Sequence, residues 1–223
     1  MQYDFGKIIE EGVFIETRYL DKPPRAVMTA ITKLQVKHYR EGNAIGEHIS
    51  KMLDSRPKMR KRFKYQGIEL DQLFDANYEH RERGKDCRSA GCNKGYLVTR
   101  KSRDTEDPVV HYGLIGSASR VIRDGPIREV LRQERGILCL EMEAAGLMDY
   151  FKCVLIRGIC DYSDSHRNKL WLPYAAAVAS AYAKELLETL APTTLPRKDN
   201  INVFYLPLAP VIIYGADLFY PNI

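Results

Sequence analysis

Glu141 and Glu143 follow one short apolar run, Ile137-Leu138-Cys139-Leu140, and Asp161 and Asp164 stand just beyond a second, Cys153-Val154-Leu155-Ile156. Carboxylates that share a cleft suit glycosidic-bond chemistry. Its transition state carries positive charge on the sugar, and its leaving group must be protonated. The acids can do this only if the chain brings them together. Both runs have the length and aliphatic character of strands buried on two faces, and a small-residue, helix-like segment lies between them, which reads as a βαβ unit. The C-terminal ends of strands in an open parallel sheet face the ligand crevice, so this unit would aim the acids into one cleft.

Glu141-Met142-Glu143-Ala144-Ala145, followed by Arg157-Gly158-Ile159-Cys160-Asp161, resembles the paired signature of the nucleoside phosphorylase and nucleosidase superfamily, which includes the purine and uridine phosphorylases. With QYDFGK near the start, PVVHYGLIGS, and RGICDYSDSHRNK, the pattern over roughly residues 2 to 190 is similar to the fungal branch often joined to ankyrin or NACHT regions. The resemblance implies an α/β fold with a mixed, mostly parallel sheet flanked by helices. It also implies cleavage of the N-glycosidic bond of a nucleoside, with a purine as the expected base, by phosphorolysis or hydrolysis. In that reading Asp161 is the catalytic acid that protonates the purine, and Glu143 accepts hydrogen bonds from the ribose hydroxyls. Met142 packs under the sugar, Val121 and Ile122 stand beside the base, and Ser117 belongs to the turn of the base pocket. Glu141 is either a ligand contact or a structural partner of Arg157.

Position alone leaves other roles open. Glu143 suits charge pairing with a helix N-terminus, and Asp161 suits a turn at a strand end. No cofactor or metal is expected beyond phosphate as a co-substrate. Members of the family carry several strands before the QYDFGK segment, with the phosphate loop or the water-activating acid; this chain starts at Met1-Gln2-Tyr3-Asp4. The expectation is therefore a domain lacking its first strands. Its exposed sheet edge would favour a homo-oligomer. The turn Ser117-Ala118-Ser119-Arg120 also departs from the family's Ser-Gly-Asn or Ser-Gly-Asp. A catalytically inactive nucleoside-binding or interaction module from a larger sensor-like protein is the alternative.

The elements that must position these residues can be read in outline. A chain of 223 residues, 45% hydrophobic and 28% charged, suffices for one domain with a sizeable core, here residues 1–190 followed by a divergent tail over 191–223. Gly12 to Leu20 alternates like a strand. Val27, Ile31 and Leu34, then Ile45, Ile49 and Met52, then Leu70, Leu73 and Phe74, repeat at helical spacing. Val109 to Ile115 reads as one strand, with His111 as a sheet histidine. Gly125 to Glu134 and Pro173 to Leu190 read as helices. Residues 79–107 are polar and form a surface loop insertion. It contains Cys87 and Cys92 at a loose zinc-knuckle spacing with His80 upstream, but no second ligand pair stands nearby in sequence.

The net charge of +5 is too small to point to nucleic acid, and the basic run Lys58 to Lys64 reads as a solvated face. No apolar run is long enough for a membrane span, and no leader opens the chain. Five cysteines, an odd number, lie partly inside apolar runs and suggest reduced packing residues in the cytoplasm.

Overall fold

The computed structural model describes residues 1–4, 6–8, 14–16, 23–101, 103, 105–148, 150, 152–190 and 211–214. Its elements in chain order are β1 (Gly6–Ile8), β2 (Phe14–Glu16), α1 (Arg25–Glu41), α2 (Ile45–Ser55), α3 (Arg60–Phe63), β3 (Val109–Tyr112), β4 (Leu114–Ser117), α4 (Gly125–Arg135), β5 (Ile137–Glu141), α5 (Ala144–Leu147), β6 (Ile156–Ile159), α6 (Trp171–Thr189) and β7 (Val211–Tyr214). The architecture is mixed α/β, with small sheets flanked by helices. β4 and β5 pair in parallel, as do β6 and β7, while β3 joins β7 antiparallel and β1 joins β2 antiparallel.

The core lies where α1, α2 and α6 meet. The α1 stripe Val27, Ala30, Ile31 and Leu34 is buried, as are Ile45, Ile49 and Leu53 of α2. Val178, Tyr182 and Leu186 of α6 are wholly enclosed between them. Pro24 precedes α1, where its fixed φ and missing N–H cost least. Glu185 of α6 sits inside this apolar stack and accepts the Ala44 N–H at 2.9 Å, tying down the start of α2. His38 Nε2 lies 3.3 Å from the other oxygen of Glu185 without forming an aligned hydrogen bond. The basic run 58–64 covers this helical layer, with Met59 and Phe63 inward and its lysines and arginines exposed.

Several elements differ from their expected form. Ile68–Leu70 is a single 3-10 turn, and Leu73 and Phe74 then run extended. Val98 N–H donates to Leu73 O at 2.9 Å and Asp75 N–H to Tyr96 O at 2.8 Å, so cross-chain bonds replace the helical ones. The expected strand Val109–Ile115 breaks at Gly113 into β3 and β4, which join different sheets. A Cβ at Gly113 would come within 2.4 Å of a Leu138 methyl, so a larger residue at this turn requires Leu138 to move aside.

The second apolar run is displaced as well. The strand is Ile156–Ile159, because that stretch pairs with Val211–Tyr214 in register; Val154 is buried without joining a strand. β5 and β6 therefore carry no ladder between them among the described residues, although their ends lie side by side. β7 comes from the 191–223 segment and lies between β3 and β6. The rest of that segment, and most of Gly12 to Leu20, falls outside the described residues. Among the described residues no helix is long and apolar enough to cross a membrane.

Candidate functional site

Gly136 ends α4 in the left-handed conformation, φ 62°, and turns the chain directly into β5. β5 stops at Glu141, whose carboxylate folds over the start of α5. Its Oε2 accepts the N–H groups of Glu143 at 2.7 Å and Ala144 at 2.8 Å. These bonds fix the reversal at Met142 and leave Met142 part-exposed in the cleft. Glu141 is buried, and its Oε1 has no hydrogen-bond partner. The partner of Arg157 is Glu143, at 3.0 Å, so Glu141 does not fill the structural role expected for it beside Arg157. Burial pushes the Glu143 carboxyl up, but the Met142 N–H and the Arg157 charge outweigh it and hold the group below the ordinary glutamate range. It is an ionised acceptor near neutral pH.

Beyond β6 the chain turns through Asp161. Oδ1 accepts the Ser163 N–H at 3.0 Å, and Oδ2 accepts Arg167 Nε at 2.7 Å with a second guanidinium nitrogen also at 2.7 Å. Asp161 is thus clamped as an acceptor by a charge-assisted pair. Ser163 has φ 53°, the one left-handed non-glycine among the described residues. Cys160 Sγ points at Asp161 Oδ2 at 3.6 Å. Burial and the neighbouring Asp161 charge push its thiol up to about 11, which keeps it protonated and unreactive.

The loop from Asp161 to Arg167 is held from outside. The buried Arg128 donates to Tyr162 O at 3.0 Å and faces Asp164 at 3.7 Å. Tyr162 donates through its hydroxyl to Asp71, which is paired with Arg100 at 3.3 Å. Burial pushes the Asp164 carboxyl up, offset in part by the His166 N–H and Arg128.

Val121, Ile122, Glu141, Met142 and Asp161 line one cleft of about 140 Å³ together with Arg120, Arg157 and Arg167. Glu143 stands at its rim through the Arg157 contact. Ser117 does not line it: the residue is buried behind it, with its Oγ accepting the Ala145 N–H at 2.9 Å. The Ser117–Ser119 turn is braced by residues 1–4. Ser117 N–H donates to Met1 O at 2.7 Å, and Asp4 accepts both the backbone N–H and the hydroxyl of Ser119. Arg167 has no assigned role in the sequence reading, Arg120 enters it only as a departure in the turn, and Arg157, one of two partners considered for Glu141, pairs with Glu143. The signal for Arg167 was its place six residues after Asp161, across a Ser-Asp-Ser turn.

No protein-family model matches the chain, and no solved structure matches it. A similar curated protein is a nucleotide-binding leucine-rich repeat (NLR)-like protein of Hyaloscypha variabilis, 40% identical over 197 residues. The match takes in 87% of this chain, and the chain spans only 19% of the length of that relative.

Proposed function

We propose that the cleft binds a nucleoside and cleaves its N-glycosidic bond, as one module of an NLR-type fungal protein. The observation that carries this reading is the convergence of Val121, Ile122, Met142, Glu141 and Asp161 on a single cleft from three separate segments. Glu143, kept ionised at the rim, accepts from the ribose hydroxyls, and that bond strengthens as the sugar becomes cationic. Asp161 gives a proton to the base as the bond to the sugar breaks, and a phosphate oxygen or water attacks the anomeric carbon. Two rearrangements must come first. Arg167 must leave Asp161, which must then take up a proton, and the cleft must open from about 140 Å³ towards the ~300–1,000 Å³ of most small-molecule sites.

The Arg167 clamp also favours a second reading, a module that binds a nucleoside without cleaving it. An acid locked in an ion pair is a poor proton donor, and a sensing role suits a chain that matches a small part of a much longer NLR-like protein. One experiment separates the two. Free base released from inosine, adenosine and uridine is measured with and without phosphate, beside Asp161→Asn. Release that falls in the variant supports cleavage, and its phosphate dependence names the nucleophile. Saturable binding weakened by Glu143→Ala, with no release, supports the sensing module. Neither release nor binding by the folded chain removes both readings.

A further inference from the structure

Outside the cleft, the polar loop 79–107 brings together the three residues whose spacing only loosely resembles a zinc knuckle. One ligand atom from each of His80, Cys87 and Cys92 lies within 4.8 Å of the others. Both cysteines are free thiols. The turn between them is built to bring them together. Asp86 accepts from the backbone and hydroxyl of Ser89, Gly91 takes φ 65°, and Cys92 N–H donates to Cys87 O at 2.9 Å. His80 is brought up by its own N–H, which donates to Ser165 Oγ at 2.9 Å; its Nδ1 accepts only a long bond from Glu82 N–H at 3.3 Å.

A second, independent observation points to a ligand. His166 is only 6% exposed, and neither of its ring nitrogens has a hydrogen-bond partner. A buried imidazole with both nitrogens idle calls for an explanation. Its ring stacks on Phe74 at 4.1 Å and Tyr78 at 5.3 Å, and its centroid is 5.3 Å from that of His80. A tetrahedral zinc ion with bonds of about 2.0–2.3 Å holds its ligands about 3.5 Å apart, so from separations within 4.8 Å the trio needs to contract by at most about 1.3 Å. His166 is not within the trio as it stands; its ring centroid is 5.3 Å from that of His80, and a side-chain movement would have to bring one of its nitrogens onto the ion.

We propose that His80, Cys87, Cys92 and His166 form a structural zinc site that clips the 79–107 loop to the loop carrying Asp161. Two sulfurs and two imidazoles are the donor set that selects tetrahedral Zn²⁺ over harder cations. The loop is anchored at its far end by backbone bonds between residues 96–98 and Leu73–Asp75, and the ion would add a clip at its near end. The site is independent of whether the cleft cleaves a nucleoside.

The test uses the full chain, reduced and stripped of metal, titrated with Co²⁺ and then with Zn²⁺. One equivalent of Co²⁺ should bind, with a thiolate charge-transfer band and the intense ligand-field bands of a tetrahedral ion, and Zn²⁺ should displace it. Cys87→Ser and Cys92→Ser should each remove the charge-transfer intensity of one thiolate. His166→Ala should weaken Zn²⁺ binding by more than about 100-fold, beyond the 10–100-fold typical of an outer partner. No stoichiometric uptake by the wild-type chain overturns the site, whatever the variants do. So does a cobalt spectrum unchanged by the cysteine substitutions, or a Cys87–Cys92 disulfide that persists in thiol reductant. A His166→Ala loss under about tenfold overturns the fourth ligand.

Discussion

Gly158→Ala is the substitution that most directly tests how β6 and its acid are held against α6. A Cβ at Gly158 would lie 1.9 Å from the Ala175 carbonyl oxygen and 2.5 Å from its carbon, where ordinary contact begins at 3.4 Å. The obstructing atoms are helix backbone and cannot rotate aside, so strand and helix must separate by about 1.5 Å, the difference between 3.4 and 1.9 Å. α6 carries Val178, Tyr182 and Leu186, all fully enclosed, and moving it opens gaps around each. Overpacking typically costs about 1–3 kcal/mol, and the rigid obstacle places this case at or above the upper figure. About 3 kcal/mol corresponds to a fall in Tm of about 6–12 °C for a chain of this size. The assay is urea unfolding at constant m-value with a thermal melt beside it. Gly146→Ala is the control, because a Cβ there meets nothing within 4 Å inside α5. The control should be neutral or stabilising by up to about 1 kcal/mol. A Gly158→Ala variant within about 1 kcal/mol of wild type would refute the close seam between β6 and α6. Because Gly158 also lines the cleft, a smaller displacement should still disturb the Arg167–Asp161 pair.

Glu185 is held below its ordinary value of 4.5: burial raises it, but the His38 and Ala44 contacts outweigh burial. Its ionised form therefore contributes stability that is present above pH 4.5 and lost as pH falls through the lower, folded value. Glu185→Gln should be less stable than wild type at neutral pH by roughly 1–3 kcal/mol, and the gap should narrow below pH 4.5 in urea titrations; a constant gap would refute a stabilising role for the ionised carboxylate. Arg128→Met leaves Asp164 buried without its cation and should cost about 3–5 kcal/mol, with Asp164→Asn restoring part of the loss in a double-mutant cycle. Simple additivity would show that the pair does not interact. Ser163→Gly should be neutral or slightly stabilising, whereas Ser163→Val should cost at least about 2 kcal/mol, because a β-branched residue resists φ 53°. Equal melting of the two variants would argue against the left-handed turn.

How far the sequence could be read follows from the range of the interactions concerned. α1, α2, α4 and α6 were legible because 3.6-residue periodicity is local, and packing acted on stripes already present. β5 and the acids after it were legible for the same reason: an apolar run ending in carboxylates needs no distant partner to be recognised. β6 was placed three residues early because its bounds depend on β7, which comes from a distant segment and selects Ile156–Ile159 over the more apolar Cys153–Ile156. Leu73 and Phe74 lost their helix to residues 96–98 in the same way. Cys87, Cys92 and His80 were legible as a loose ligand spacing, but the nearness of His166 to His80 was not, since it depends on a bond from the His80 N–H to Ser165, 85 residues away.

What these contacts share is the segment from Asp161 to Arg167. Its backbone is bonded by Arg128, its tyrosine by Asp71 beside Arg100, its first acid by Arg167, and its histidine lies against the 79–107 loop. A segment restrained from four directions, with a strained serine at its centre, does not reorient one residue at a time. If Asp161 is to pass from acceptor to donor, the adjustment most open to it is on the Arg167 side, because that guanidinium is partly exposed while Arg128 is buried. On the proposed reading, the distinction between cleavage and sensing would rest on one side chain: a ligand that draws Arg167 onto itself would free the acid, and one that leaves the pair intact would only be bound.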